Sequence, residues 1–369
     1  MINMNIITQI IRVLVSITFI FSGFVKLVDP IGSSIKFEEY FGADVLNLEF
    51  LSPYALQFSI VLILAEIMLG VMLLVGFKPK LTVWSLFFIT LLFLFLTWYS
   101  AYFDKVTDCG CFGDAVKLSS WETFYKNIVL IALIIWLIFR VYDIQPFISE
   151  TLSKRISLIS LLAFVFISYY VLRHLPLIDF RPYAVGKNIP EGMTYPEGAA
   201  KAVFEDTWVY NVNGKDQVFT TEEKPWNIDG ATFVDRKTKM IEKGYELLIH
   251  DFTMEMDGED MTDILMKKEK LMLIVSYNLQ RSNEKGWLHI KDVTDKAMQN
   301  GYTVYCFTAS TNEEYLKVKD KYDLDFDLLF CDETTLKTII RSNPGIVTLN
   351  KGTISGKWNW IDADDINFN

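Results

Sequence analysis

The chain has 369 residues, of which 51% are hydrophobic, and a formal net charge of −10. This length allows two domains or more, and the apolar content is higher than one soluble domain needs. The acidic balance argues against nucleic acid as a partner, because phosphate contacts require clustered Lys and Arg, and no basic stripe of that kind occurs.

Five apolar segments in the first half are long enough to cross a bilayer as helices. They run from Ile6 to Val28, Tyr54 to Phe77, Leu81 to Tyr102, Phe124 to Val141 and Ile156 to Leu175. A buried core helix would explain one of them, whereas five in succession predict a polytopic membrane domain. The first segment lacks a basic leader and a small-residue cleavage site, which predicts a retained helix and not a removed signal peptide.

Loop charges predict the orientation of these spans. The basic loops lie on the N-terminal side, and the acidic loops lie on the opposite side. The basic set is Arg12, Lys78, Lys80, Arg140, Lys154 and Arg155; the acidic set is Asp29, Glu38, Glu39, Asp44, Glu49, Asp104, Asp108 and Asp114. We expect the basic side to be cytoplasmic, which places the N-terminus inside and the chain after the fifth span outside, where disulfides persist.

Cys109 and Cys111 flank a single glycine in the loop between the third and fourth spans. Two thiols this close can close a small, strained ring, and strain makes a disulfide easier to reduce. A polar loop would also give a partner thiolate access to the pair. The alternatives are a structural pair at a helix end and a metal site, and the metal site is disfavoured because two thiolates need further ligands.

Glu66 is an acid inside the second apolar span. Ionisable residues in a membrane are costly and are often functional, so Glu66 is a candidate proton carrier for thiol or quinone chemistry. In the alternative reading the acid holds helices together, with Arg12 or Lys26 as its partner. Lys26 itself lies near the outer end of the first span, where a lysine can also extend to the interface.

Three motifs in this order resemble the DoxX-like superfamily and, within it, the MauE branch of methylamine utilisation. The first is Gly23, Lys26, Asp29 and Pro30, the second is Glu66, and the third is Cys109-Gly110-Cys111-Phe112-Gly113. The resemblance covers about residues 5–145 and implies a four-helix bundle in a bacterial inner membrane. MauE is implicated in disulfide formation during maturation of a periplasmic dehydrogenase, which implies catalytic roles for Cys109, Cys111 and Glu66. The whole chain also resembles an uncharacterised Bacteroidota group.

The composition changes after the fifth span. We predict a membrane domain over residues 1–145, a fifth transmembrane helix over 146–176, a proline-rich linker over 177–200 and an α/β domain over 201–369. The sequence Asn211-Val212-Asn213-Gly214 predicts a hairpin turn. Later strands alternate with helices, and this alternation resembles the thioredoxin-like fold in its peroxiredoxin or TlpA-type branch. Pro344 would correspond to the cis-proline of that fold.

The α/β domain departs from the thioredoxin pattern at its usual active site. The stretch after the first central strand, residues 278–287, contains no cysteine. Cys306 and Cys331 lie in apolar surroundings that predict buried, inert thiols, and a bond between them is left open. Such a domain can still bind a client segment in the groove beside Pro344. Arg281 and Trp287 are candidates for that groove, and the alternative places the aromatic ring in the core.

The leading hypothesis is an inner-membrane protein of envelope thiol–disulfide maturation. Cys109 and Cys111 would exchange disulfides with a periplasmic client, which makes a thiol-disulfide oxidoreductase the enzyme class to test. One alternative is a non-catalytic, membrane-anchored scaffold, and another is a quinone-linked membrane protein. The expected partners are the lipid bilayer and a periplasmic client or redox protein. No cofactor is evident, a quinone is left open, and no metal is expected.

Overall fold

The structure is a computed structural model and describes residues 4–103, 105, 113–116, 118–201, 203–212, 214–242 and 244–368. Two units divide the chain: Met1–Gly186 with Thr253–Asn369, and Lys187–Phe252. Within the first unit we call residues 4–173 the helical part and residues 253–368 the α/β part. Cys109 and Cys111 lie outside the described residues, so the sequence-based expectations for their structure stay predictions.

The described residues of the helical part contain six α-helices. They are α1 (Met4–Val28), α2 (Pro30–Phe41), α3 (Ala55–Val75), α4 (Pro79–Phe103), α5 (Ser120–Phe139) and α6 (Glu150–Arg173). All except α2 belong to helical segments that are long and apolar enough to cross a membrane. The prediction of about five candidate membrane spans is therefore confirmed.

The short helix α2 was not predicted, and its start is well specified by the sequence. Asp29 is its N-cap and accepts a hydrogen bond from Gly32 N at 3.0 Å, while Pro30 occupies the first helical position. Both residue types are favoured there, because a carboxylate satisfies a free N–H group and proline has no N–H to lose. The Asp29-Pro30 pair therefore turns the chain directly from α1 into α2.

Glycines allow α1 and α3 to approach closely. A Cβ atom added to Gly23 would lie 2.7 Å from Ile67 Cβ, and one added to Gly70 would lie 2.9 Å from Ile20 N. Lipid tails provide no hydrophobic drive for association between helices, so close van der Waals contact at small residues stabilises such a pair. This contact brings side chains of α1 and α3 within hydrogen-bond distance of one another.

The smaller unit contains helix α7 (Ile189–Gly192) and strands β1 (Val203–Val212), β2 (Lys215–Thr220) and β3 (Thr232–Glu242). The strands form an antiparallel sheet in the order β2-β1-β3. Gly214 N donates to Asn211 Oδ1 at 3.0 Å between β1 and β2. The predicted hairpin is therefore confirmed.

The α/β part is a seven-stranded mixed sheet with helices. Its strands are β4 (Glu255–Met256), β5 (Glu259–Asp260), β6 (Leu271–Ser276), β7 (Thr303–Thr308), β8 (Asp327–Phe330), β9 (Gly345–Asn350) and β10 (Thr353–Asn359); its helices are α8 (Thr262–Leu265), α9 (Glu284–Gln299), α10 (Asn312–Tyr322) and α11 (Glu333–Ile339). The strand order is β10-β9-β6-β7-β8-β4-β5. Strand β6 is parallel to β7, antiparallel to β9 and buried at every position. The predicted α/β character of this region is confirmed.

The segment after α6 packs against the α/β part. Asp179 lies 2.7 Å from Arg181 Nε and 2.6 Å from Lys357 Nζ, and Gly186 N donates to Ile354 O at 2.8 Å. Burial alone would raise the pKa of Asp179, but the two cations hold it below its ordinary value. Burial lowers the pKa of Lys357 to about 8. The first residues of the predicted linker are thus fixed on β10.

We expect Asp179→Asn to destabilise the α/β part by about 3–5 kcal/mol, because it leaves the cations of Arg181 and Lys357 buried without a counter-charge. Lys357→Met should cost about 1 kcal/mol or less, since Arg181 still neutralises Asp179 and a costly buried ammonium is removed. Chemical unfolding of the detergent-solubilised chain, followed by tryptophan fluorescence, measures both. Equal losses in the two variants would contradict this account.

Candidate functional site

Arg341 joins the α/β part to the helical part. It follows α11, and its Nε donates to both carboxylate oxygens of Asp29, at 2.9 Å to Oδ2 and 3.2 Å to Oδ1. The Arg341 side chain is 7% exposed and the Asp29 side chain 18%. Asp29 therefore caps α2 and binds Arg341 with the same carboxylate. Charge-assisted hydrogen bonds of this kind are stronger than neutral ones and fix geometry as well.

A second carboxylate lies beside the same guanidinium. Asp114 Oδ2 is 3.9 Å from Arg341 Nη2. In the sequence Asp114 comes three residues after Cys111. The preceding Gly113 has φ +50°, and a Cβ atom there would lie 3.1 Å from Val25 Cγ1 of α1. The C-terminal flank of the cysteine segment thus lies between α1 and Arg341.

Arg341 comes three residues before Pro344, in a loop that is held to the end of β6. Ser276 Oγ donates to Asn343 Oδ1 at 2.7 Å, and Asn343 Nδ2 donates to the carbonyl of Asn278 at 2.9 Å. Asn283 N donates to the carbonyl of Asn343 at 2.9 Å. The Asn343–Pro344 peptide bond is cis, as the sequence analysis predicts. These bonds fix the Pro344 loop against the loop that precedes α9.

Pro344 packs on the first turn of α9. A Cβ atom on Gly286 would lie 3.0 Å from Pro344 Cδ, so only glycine fits there without displacement. Arg281 is exposed on the adjacent loop, whose backbone contacts Asn343. The structure therefore brings Pro344 and Arg281 onto neighbouring loops, and it places Arg341 with them.

Trp287 lies in the core of the α/β part and not on a groove. Trp287 is only 1% exposed, and its Nε1 donates to Ser282 Oγ at 2.8 Å. Its ring stacks on Tyr322 with centroids 6.2 Å apart. An indole that is enclosed and hydrogen-bonded in this way stabilises the fold and is not available to a client. The structure therefore agrees with the alternative that places the Trp287 ring in the core.

Tyr277 directly follows β6 and interacts electrostatically with charged residues of both parts of the unit. Burial raises the pKa of the Tyr277 hydroxyl. The charges of Arg341 and Arg281 lower this pKa, and those of Glu333 and Glu38 raise it. Glu38 belongs to α2, whereas the other residues belong to the α/β part. The surface around Pro344 is therefore close enough to α2 for electrostatic interaction.

Cys306 and Cys331 are free and fully buried. Burial raises the pKa of the Cys306 thiol far above its ordinary value, and it raises the pKa of Cys331 to about 12. A thiol attacks disulfides as its thiolate, so neither residue is reactive near neutral pH. The prediction of inert thiols agrees with this placement. Among the described residues, no group of three or more His, Cys, Asp or Glu side chains could hold a metal ion.

Glu66 pairs with Lys26 inside the helical part. Lys26 Nζ lies 2.7 Å from Glu66 Oε2, and Ser22 Oγ donates to Glu66 Oε1 at 2.6 Å. The two charged side chains are 9% and 4% exposed. The pair links α1 to α3 at the Gly23 contact, so the geometry favours the reading in which the acid holds helices together. It also shows that Lys26 is enclosed and does not extend to the interface.

Arg12, the other partner considered for Glu66, binds elsewhere. Its Nε donates to Leu73 O and its Nη2 to Leu74 O, both at 2.8 Å, and its Nη1 donates to Gln145 O at 2.8 Å. The last carbonyls of a helix have no partner within that helix. Arg12 therefore caps the C-terminus of α3 and ties it to the chain after α5.

Two small cavities adjoin the Lys26–Glu66 pair. One of about 50 Å³ is lined by Lys26, Ser33, Lys36, Tyr40 and Ser59, among others. The other, of about 20 Å³, is lined by Ser22, Lys26, Glu66, Lys126 and Asn127, among others. Each has room for water, whereas pockets for drug-sized ligands measure about 300–1,000 Å³. Neither of these two cavities has room for a drug-sized ligand.

A wider open groove, of about 870 Å³, lies at the N-terminal end of α1, opposite the end that carries Lys26. Its lining comprises Asn5, Ile6, Gln9, Ile10, Val13, Leu14, Tyr142, Asp143, Gln145, Pro146 and Phe147. It belongs to the end of the helical part that the loop charges predict to be cytoplasmic.

Comparison with known families agrees with part of this picture. Residues 4–140 match the family model described as Methylamine utilisation protein MauE. The match supports a MauE-type membrane protein. It covers α1 to α5 together with the segment that contains Cys109 and Cys111. A second model, described as Domain of unknown function (DUF8463), matches residues 204–243. No curated protein and no solved structure matches the chain.

Arg341 and the contact of Asp29 with it were not predicted from the sequence. Two signals were present: Arg341 lies three residues before Pro344, and Asp29 follows a membrane span directly before a proline. Neither signal indicates that the two residues contact each other, because 312 positions separate them in the sequence. Only the packing of the α/β part on the helical part brings them together.

We expect Glu66→Leu to destabilise the helical part by about 3–5 kcal/mol, since the Lys26 ammonium is left buried without its counter-charge. The double variant Glu66→Leu/Lys26→Met should lose clearly less than the single variant, because neither charge remains. Ile17→Ala, at an exposed position of α1, serves as the control. Chemical unfolding in detergent measures all three, and a double variant that loses as much stability as Glu66→Leu, or more, would argue against the pair.

Proposed function

We propose that this MauE-type membrane protein exchanges thiols and disulfides with a client protein through Cys109 and Cys111. One observation carries the proposal. The segment that holds both cysteines ends at Asp114, which lies 3.9 Å from Arg341, and Arg341 precedes Pro344 by three residues. The described residues that directly follow the cysteine segment are thereby close to a loop of the α/β part.

We propose a thioredoxin-like fold for the α/β part. The strand order β10-β9-β6-β7 and the antiparallel pairing of β9 with β6 support it. In that fold the loop before the antiparallel strand binds an extended client segment through backbone hydrogen bonds, and here Pro344 occupies that loop. The start of α9 has no cysteine, and Cys306 and Cys331 are buried. In our proposal this part therefore binds the client and leaves the exchange to Cys109 and Cys111.

The exchange needs no reactant beyond the two proteins. A client thiolate attacks one sulfur of the Cys109–Cys111 disulfide, which forms a mixed disulfide and frees the other cysteine as a thiolate. The second client thiolate then displaces the remaining cysteine. Two electrons pass from the client to the pair, and two protons end on Cys109 and Cys111. The reverse sequence of steps reduces a client disulfide. Re-oxidation of the pair would fall to a separate oxidase or a membrane quinone.

The proposed location is a bacterial inner membrane, with the N-terminus in the cytoplasm and the α/β part in the periplasm. Loop charge supports this orientation. An oxidising compartment is also where a disulfide of this kind persists. Glu66, in this proposal, supports the exchange by holding α1 and α3 together through Lys26.

A non-catalytic scaffold is the second candidate. It is favoured by the absence of cysteine at the start of α9. In that case the α/β part would bind a partner of the envelope, and the helical part would serve as an anchor.

We expect Cys109→Ser and Cys111→Ser each to abolish disulfide exchange with reduced peptides, because one thiol cannot complete the two-step transfer. Cys306→Ala should leave exchange unchanged, since that thiol is buried and protonated. The measurement is peptide oxidation by the purified, pre-oxidised protein, with mixed disulfides trapped by acid and detected by mass spectrometry.

Full exchange activity in both serine variants would refute the proposal in favour of the scaffold. Labelling of intact cells with a membrane-impermeant thiol reagent, before and after reduction, tests the orientation separately. Labelling only after reduction is expected for an oxidised pair outside the cytoplasm.

A further inference from the structure

The open groove at the N-terminal end of α1 is much larger than the cavities beside Glu66. Its volume is about 870 Å³, and it lies between α1 and the segment that follows α5. The lining residues of α1 run from Asn5 to Leu14. This stretch rises by about 14 Å along a helix, and one leaflet supplies about half of a hydrocarbon core of roughly 30 Å. The groove is therefore about as long as one leaflet is thick.

One side of the groove is apolar and open to lipid. Ile6, Ile10 and Leu14 recur every four residues on α1 and are each 53% exposed. Phe147, which lines the groove from the segment after α5, is 61% exposed. Lipid tails are as apolar as these side chains, so an acyl chain is the natural neighbour of such a surface inside a membrane. An acyl chain that lies along α1 finds apolar contacts over the length of the groove.

The other side of the groove is polar and lies next to an arginine. Asn5 and Gln9 line it one helical turn apart, and Arg12 Nη1 donates to Gln9 Oε1 at 3.0 Å. The same Nη1 donates at 2.8 Å to the carbonyl of Gln145, another lining residue. The guanidinium carbon of Arg12 lies 4.1 Å from the ring centroid of Phe147. Three residues that line the groove thus contact Arg12 directly.

The charge of Arg12 is only partly offset by its partners. The residue is 0% exposed. Among the described residues, its hydrogen bonds go to neutral oxygens and none goes to a carboxylate; the acceptors are Gln9 Oε1 and the carbonyls of Leu73, Leu74 and Gln145. The C-terminus of α3 supplies about half of a negative charge. Enclosed charge is costly in a membrane, so the positive charge that remains favours an anion beside the groove.

A second cation lies at the same groove. Lys80 Nζ is 4.7 Å from the ring centroid of Tyr142, which is a lining residue. Asp143 also lines the groove, but Arg140 Nη2 lies 2.6 Å from its carboxylate and offsets its charge. The charges that remain beside the groove, those of Arg12 and Lys80, are both positive. Basic pockets between membrane helices bind anionic lipid head groups.

We propose that this groove binds one anionic phospholipid of the leaflet at the N-terminal end of α1. One acyl chain lies along Ile6, Ile10 and Leu14. The phosphate lies at the polar side, near the charges of Arg12 and Lys80. A zwitterionic phospholipid fits the same apolar side, but its ammonium group is repelled by the two cations. The site uses neither the cysteines nor the α/β part, so it stands or falls independently of the proposed disulfide exchange.

Native mass spectrometry of the full-length protein, purified in detergent and stripped of lipid, measures the affinity. We expect one phosphatidylglycerol to bind about fivefold or more tightly than phosphatidylcholine with the same chains, since one basic residue near an anionic head group contributes a factor of this size. Lys80→Gln should weaken phosphatidylglycerol binding by about fivefold and leave phosphatidylcholine binding unchanged. Lys154→Gln removes an exposed lysine of α6 that does not line the groove, and it is the matched control.

Two further variants test the arginine and the apolar side. Arg12→Gln should also lower the preference for phosphatidylglycerol, and Lys80→Gln keeps the proposal testable if Arg12→Gln unfolds, because Lys80 does not cap α3. Ile10→Trp places a larger side chain in the groove, so it should weaken binding of both phospholipids by about tenfold. Ile17→Trp makes the same change at an exposed position of α1 outside the groove and should bind both as the wild type does.

Several results would overturn the proposal. One is equal affinity of the wild type for the two phospholipids. Another is a loss in Lys154→Gln as large as that in Lys80→Gln, because the attraction would then be general to this end of the protein. Unchanged binding in Ile10→Trp would place the lipid elsewhere.

The same experiment identifies other occupants of the groove. Displacement of phosphatidylglycerol by an equal concentration of a quinone, or a dimer that Ile10→Trp dissociates, would assign the groove to that occupant and overturn the proposal. Selectivity for phosphatidylglycerol that falls in Lys80→Gln but not in Lys154→Gln, together with loss of both lipids in Ile10→Trp but not in Ile17→Trp, supports it.

Discussion

A charge enclosed by apolar groups must find a partner, and in the described parts of this chain the enclosed charges lie where two elements join. Lys26 and Glu66 link α1 to α3, and Arg12 ties the end of α3 to the chain after α5. Arg341 and Asp29 link the α/β part to the helical part. Since a misplaced partner would leave a buried charge uncompensated, each of these contacts favours the arrangement of the elements it joins.

The same constraint explains which features the sequence could predict. The five spans followed from apolar runs, because that signal is local. Helix α2 is short and mixed in character, so hydropathy did not reveal it. Its cap, Asp29-Pro30, was visible but was interpreted only as part of a family motif. Residues close together in the sequence predicted the helical spans, whereas the contacts that join these elements depend on residues far apart in the sequence.

Some residues of the candidate site could likewise be predicted from the sequence, and others could not. Pro344 was found through the resemblance to the thioredoxin-like fold, and the lack of cysteine in residues 278–287 was read directly from the sequence. Trp287 was a candidate for the groove beside Pro344, yet it is 1% exposed and belongs to the hydrophobic core of the α/β part. Glu66 was found because an acid in an apolar run is rare, but hydropathy could not choose between Arg12 and Lys26 as its partner. That choice depends on the helix contact at Gly23.

The contact between Arg341 and Asp29 acts in the same way between distant parts of the chain. It ties the loop that leads to Pro344 to the start of α2, although 312 positions separate the two residues in the sequence. The two side chains are 7% and 18% exposed, so a shift of either element would take a largely enclosed charge away from its partner. A charge-assisted contact of this kind is specific in direction, whereas an apolar contact would permit sliding.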